Sequence, residues 1–276
     1  MSATVQPRVA PVARRSTVSQ YRHSLWLLTK RDLKVRYSTS FLGYFWSILD
    51  PLVMAGIYWV VFTQIFHRDK VILEQPYIVF LLSALLPWTW LNGVISDATR
   101  AFTKEAKLIR STKIPRTIWV SRLVLSKGIE FLVSIPVIVI FALFSLGTST
   151  PAHLHWEVFL LPLAIVLQAA LALGVALIVA PLVVFFRDLE RAVKLGLRFL
   201  FYASPIVYGL ESVPKDLRPF VAINPVSGIL SLYRSSFFPQ ELNWLDVALS
   251  AGFTVVILVI GILVFRRTVP TVLKEI

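Results

Sequence analysis

Apolar residues run almost unbroken through six stretches, 43–66, 77–99, 117–147, 157–186, 193–209 and 246–265, and polar residues gather between them. About 20 consecutive apolar residues match the roughly 30 Å hydrocarbon core of a bilayer. The pattern predicts an all-α membrane protein with six transmembrane helices. Residues 205–240 break it: Pro205, Pro214, Pro219, Pro225 and Pro239 separate apolar pieces at 219–223 and 226–233. Prolines so spaced cut helices into lengths too short to span. Two readings fit this part of the chain: short re-entrant helices within about 211–240, which need protein around their backbone, or a loop lying on the outer surface.

The polar segments alternate in charge. Basic residues crowd the segment before stretch 1, the segments after stretches 2 and 4 together with the starts of the stretches that follow them (Arg122, Lys127, Lys194 and Arg198), and the tail after stretch 6; of the 28 Lys and Arg only Arg68, Lys70, Lys215, Arg218 and Arg234 fall elsewhere. Lys and Arg accumulate on the cytoplasmic side of membrane proteins. Both termini are therefore expected in the cytoplasm. Residues 1–19 lack an apolar core and read as a disordered cytosolic tail rather than a signal peptide.

Two cytoplasmic segments carry further pattern. Residues 20–40 hold Arg22, Lys30, Arg31, Lys34 and Arg36 among Trp26, Leu25, Leu28 and Leu33. A basic helix with aromatic anchors suits the headgroup region; a charge cluster that only sets topology is the plainer alternative. In residues 101–112, Phe102, Ala106 and Ile109 fall on one helical stripe while Lys104, Lys107 and Arg110 face away, with Glu105 and Leu108 between. Such a stripe docks either into a groove of another protein or onto the membrane surface.

Composition agrees with the membrane reading. The chain is 57% hydrophobic and only 16% charged, against about 45–50% and about 25% in soluble domains. The formal charge of +13 sits in the flanking segments, so no nucleic acid is expected as a partner. No cysteine is present, which excludes thiol chemistry and disulfides. There is no phosphate-binding G-x-x-x-x-G-K motif and no catalytic or metal-ligand set, so no catalytic residue, metal or cofactor is expected in this chain. Asp50 lies within stretch 1 and Glu130 near the start of stretch 3, where an ionisable residue is a functional candidate, and Lys127, three residues before Glu130, is placed to pair with it. Aromatics are dense. Trp88 and Trp90 suit an interfacial belt, whereas Phe45, Tyr58, Trp59, Phe199 and Tyr202 suit either helix packing or a path for sugar rings.

The run RDLKVRYSTSFLGYFWSILDPLVMAGIYWVVF (31–62) resembles the start of ABC-2 type polysaccharide export permeases of the Wzm-like kind. KEAKLIRSTKIPR (104–116), FFRDLERAV (185–193), SPIVY (204–208) and NPVSGILSLYR (224–234) are similar, in order and spacing, to later parts of that family. The resemblance implies a homodimer in the bacterial inner membrane, working with two copies of a separate ABC nucleotide-binding subunit that uses ATP and Mg. It implies that residues 20–40 form an interfacial gate helix whose basic residues, Arg22, Lys30, Arg31, Lys34 and Arg36, attract a lipid diphosphate. It further implies that 101–112 is a coupling helix docking on the ATPase, and that 41–276 is a transmembrane domain whose first and fifth spans line a channel. The expected substrate is a polysaccharide, such as O-antigen, teichoic acid or galactan, on a polyprenyl-diphosphate carrier. An ABC-2 permease for a drug or small lipid is a rival, and so is an integral-membrane enzyme acting on a polyprenyl lipid. The enzyme would need a clustered acid/base set at a membrane face.

Overall fold

The computed structural model describes residues 17–38, 43–65, 76–147 and 151–275. The tail expected over 1–19 lies outside them up to residue 16, and its last three residues already belong to the first helix, α1 (Thr17–Tyr37). Also outside are residues 66–75. Among the described residues every regular element is helical.

Among the described residues four helices are long and apolar enough to cross a membrane: α3 (Tyr77–Ala98), α6 (Ile118–Ser145), α7 (Leu161–Phe185, entered through a 3-10 turn at Trp156–Leu160) and α11 (Trp244–Glu275). The other two apolar stretches form shorter helices. α2 (Trp46–Trp59) passes into a π-helical segment, Val60–Ile65. α8 (Leu189–Ala203) begins ahead of the expected 193 and stops six residues short of 209. Pro205 explains the stop, since the residue before a proline is pushed out of the helical region, and Ser204 is extended (φ −93°, ψ 147°). Its 15 residues reach about 22 Å at 1.5 Å per residue, Glu190, Arg191 and Lys194 make its first half polar, and Arg198 adds a charge beyond the middle.

α3 is the most enclosed of the long helices and α11 the least. Trp88 and Trp90 are buried in α3, not set in an interfacial belt. The Trp90 indole lies on Phe131 of α6 at 5.2 Å and donates to the Val124 carbonyl at 3.1 Å. A buried indole needs such an acceptor, so this ring belongs to helix packing. α7 and α11 meet where a Cβ on Gly261 would lie 2.4 Å from the Gly174 carbonyl oxygen. Membrane helices lacking a hydrophobic drive toward each other gain most by such close backbone contact.

After α8 come a 3-10 turn at Leu210–Ser212, then α9 (Arg218–Ile223) and α10 (Ser227–Ser235). α10 is buried along its whole length. Its close approach to α11 depends on Gly228, where a Cβ would stand 2.2 Å from the Asp246 carbonyl oxygen. Arg234 is enclosed here. It donates to the carbonyls of Ile206 (2.6 Å) and Tyr208 (3.3 Å), lies 3.7 Å over the Phe80 ring, and has Glu241 at 3.8 Å. Tyr77 donates to the next carbonyl in that turn, Val207, at 3.1 Å. The turn after α8 is thus held from α3 and α10 through its own backbone.

Candidate functional site

The charged residues gather under the starts and ends of the long helices. α1 lies along α6: the Tyr21 hydroxyl is 3.4 Å from those of Thr117 and Ser121, and Leu28, Thr29 and Leu33 are turned inward. Its other side carries Arg22, Trp26, Lys30 and Lys34, with the Lys30 ammonium 5.2 Å over the Trp26 ring.

Between these faces, α1 is pinned by ion pairs. Arg31 binds Glu105 at 2.5 Å. Asp32 binds Arg122 of α6, whose guanidinium also has Glu105 at 3.7 Å and rests 5.1 Å over Trp119. Arg36 reaches Asp97 at 2.7 Å and Glu130 at 3.3 Å, and the expected Lys127–Glu130 pair is present at 2.8 Å. A further pair joins Arg100, just past α3, to Glu190 of α8 at 2.5 Å, with Lys194 on the same oxygen at 2.7 Å. Those two hydrogen bonds hold the Glu190 carboxyl down to about 2. Burial raises the Asp32 carboxyl above its ordinary range, against the pull of Arg122. Burial alone would lower Arg36, but Glu130 and Asp97 outweigh it and raise it.

The segment expected as one coupling helix is two, α4 (Ala101–Lys104) and α5 (Ala106–Ser111), broken at Glu105 (φ −109°, ψ 15°). Arg116 closes α5 by donating to the Ile109 and Thr112 carbonyls at 2.6 and 3.1 Å, which satisfies helix-end acceptors. The apolar stripe is not offered to another protein. Phe102 packs against Phe265 of α11 at 6.1 Å, and Phe102 and Ile109 are both buried. Leu108 is half-buried, and what faces outward is Lys104, Lys107 and Arg110. Glu105 also points inward, to Arg31 and Arg122.

The aromatics of α2 and α8 come together. Tyr58 stacks on Phe201 at 5.9 Å and shares a hydrogen bond with Tyr202; Phe201 meets Trp88 edge-on at 5.6 Å. Phe45 and Trp59 are exposed, as are Phe199 (74%) and Tyr202 (61%). Phe62 and Phe199 share a cavity of about 900 Å³ with Tyr208, Leu217, Phe220 and Asn224.

Residues 23–238 match the model of a membrane family described as ABC-2 type transporter. The chain belongs to the ABC-2 type transporter family. This ABC-2 chain is 35% identical over 244 residues to the O-antigen export system permease protein RfbA of Klebsiella pneumoniae, covering 88% of this chain and 91% of that relative. It is 28% identical over 225 residues to the RfbA permease of Myxococcus xanthus (81% and 83% covered). It is 24% identical over 242 residues to the polysialic acid transport protein KpsM of Escherichia coli (86% and 90%). With its long apolar helices, it is a multi-pass membrane protein.

In this ABC-2 chain the arginines Arg31 and Arg36, expected to attract a lipid diphosphate, are occupied by carboxylates, whereas Arg22, Lys30 and Lys34 carry no ion pair among the described residues. Sequence reading passed over Asp32, Asp97, Arg122 and Glu190. For Asp32 the signal was an acid standing alone in a basic run, KRDLK; Asp97, Arg122 and Glu190 carried no such signal. Asp32, Asp97, Glu105 and Glu130 do cluster, as an enzyme would require, but each is matched to an arginine. These pairs join α1, α3, α6 and the break between α4 and α5.

Proposed function

We propose that this chain is the membrane-spanning subunit of an ATP-driven exporter that moves polysaccharide on a polyprenyl-diphosphate carrier across the bacterial inner membrane. The observation that carries this reading is the 35% identity to an O-antigen export permease along nearly the whole chain. The working unit is a homodimer with two copies of an ABC nucleotide-binding subunit, which holds the ATP and Mg; this chain contributes no cofactor and no catalytic residue. α2 and α8 complete six spans with the four long helices, both termini are cytoplasmic, and 211–240 forms the re-entrant segment on the outer side. Residues 20–40 act as the gate helix, and 41–276 as the transmembrane domain.

Closure of the ATPase dimer presses on the basic outer face of α4 and α5, at Lys104, Lys107 and Arg110. Glu105 passes the displacement to Arg31 of α1 and Arg122 of α6, and Phe102, Leu108 and Ile109 pass it to the spans by packing. The glycan runs along the aromatics of α2 and α8, Phe45, Tyr58, Trp59, Phe199 and Tyr202, whose faces stack on sugar C–H groups. Lys30 and Lys34, one turn apart on α1 and free of carboxylates, attract the diphosphate, since cationic donors bind phosphate well.

The test is complementation. In a bacterium deleted for its own O-antigen permease, this chain with its cognate ATPase restores surface polysaccharide. Reversing Lys104, Lys107 and Arg110 to Glu together abolishes export while the protein still accumulates in the membrane. Full export by that triple variant would refute the docking face, and failure of the unaltered pair to restore polysaccharide would refute the substrate.

A further inference from the structure

A groove of about 690 Å³ lies between α1 and α6, lined by Arg22, His23, Leu25, Trp26 and Leu125 among others. Its character differs from the ion-paired face of α1 next to it. No acidic side chain lines it, and Arg22 is exposed without an ion pair among the described residues. The nearest carboxylates on the pinned face, Asp32 and Glu105, are engaged by Arg122 and Arg31. One wall is therefore cationic.

The opposite wall is apolar and continues beyond the groove. Leu125 is exposed, and so are Leu132 and Val139 at seven-residue steps along α6, with Val133 and Ile140 beside them. Seven residues make about two helical turns, so these side chains stack in one stripe. Trp26, 46% exposed and capped by Lys30, stands at the top of the stripe. An indole with an apolar body and a polar edge favours the boundary between headgroups and hydrocarbon.

We propose that this groove seats one anionic phospholipid, its phosphate against Arg22 and one acyl chain along Leu125, Leu132 and Val139. The cationic and apolar walls are arranged end to end, as the two parts of a phospholipid are. A free phosphate would use only the first wall, and a solvated single guanidinium binds it weakly. A zwitterionic lipid would use the second wall but gain little from the first. The inference needs only that the chain lies in a membrane, and does not depend on which substrate it exports.

Native mass spectrometry of the full-length chain in mixed micelles tests this. Four additions are compared: phosphatidylglycerol, phosphatidylcholine, inorganic phosphate and a polyprenyl diphosphate. One phosphatidylglycerol per chain is retained in preference to phosphatidylcholine, and Arg22→Gln lowers that preference about fivefold, the effect of one basic side chain at an anionic surface. Leu125→Ser weakens both phospholipids, Arg22→Lys keeps the preference, and Arg266→Gln, a basic surface residue on α11, changes nothing. A thermal melt shared by the native chain and Arg22→Gln shows that the loss is local; if that variant melts early, retention by Arg22→Lys decides. Equal retention of the two phospholipids, or no effect of Arg22→Gln, overturns the proposal. Displacement of phosphatidylglycerol by inorganic phosphate alone also overturns it, as does binding of the polyprenyl diphosphate only.

Discussion

Arg122 and Arg234 are both buried, at opposite ends of the bundle, and they are neutralised in different ways. Arg122 faces two carboxylates, Asp32 from α1 and Glu105 from the break between α4 and α5. Arg234 faces backbone carbonyls of one turn and the flat of Phe80, with Glu241 farther off at 3.8 Å. Carboxylates on separate elements can be traded for other partners as those elements move. Carbonyls of the chain's own turn cannot. The first arginine therefore marks a place built to shift, and the second a place built to hold.

The largest effect is expected at the holding end. Arg234→Met leaves the Ile206 and Tyr208 carbonyls buried without their donor and removes the cation facing Glu241, a loss of about 3–5 kcal/mol. In detergent the variant melts far below the native protein or fails to accumulate, and removing Glu241 as well does not rescue it, because the carbonyls remain. A native-like melt would mean that water satisfies the turn and that the two arginines are not different in kind.

At the shifting end, Arg122→Met strands Asp32, while Glu105 keeps Arg31, and costs about 2–4 kcal/mol. Here the prediction is rescue: adding Asp32→Asn restores most of the melting temperature, since the carboxylate that lost its partner is gone. Export stays impaired in the rescued protein, because the Asp32–Arg122 tie between α1 and α6 is lost. Restored stability together with restored export would show the ion pairs to be structural only.

The smallest effect concerns Glu190, whose two donors are Arg100 and Lys194. Its carboxyl is held below the ordinary 4.5, at about 2, so its contribution is fully present above about pH 4.5 and fades as the pH falls toward 2. The stability gap between native protein and Glu190→Gln is therefore flat from pH 7 to about 5 and closes below that. Because the group is solvated, the gap is small. Parallel curves down to pH 3 would remove the pair from the set of elements that tie α8 to α3.

Much of this was legible in the sequence, for reasons that also mark where reading stopped. The long helices were visible because each is apolar for more than about 18 residues. The Lys127–Glu130 pair was visible because a helix brings i and i+3 together. Phe102 and Ile109 were visible as a stripe, but periodicity shows that a face is covered and not by what; Phe265 of α11 meets Phe102 there. Arg31–Glu105, Asp32–Arg122 and Arg36–Asp97 join residues 61 to 90 positions apart. No local period encodes such pairs. The end of α8 was misjudged because apolarity continues past Ala203, while the backbone preference imposed by Pro205 does not.

The bare contact between Gly174 and Gly261 has a consequence for motion. A joint with side chains in it can creep, since each side chain has other rotamers to visit. A joint made of two backbones has none, and it can neither tighten nor slip by small steps. α7 and α11 then serve as the stator of the molecule, and the elements hung from it by exchangeable charges, α1 and the α4–α5 break, are free to be its rotor.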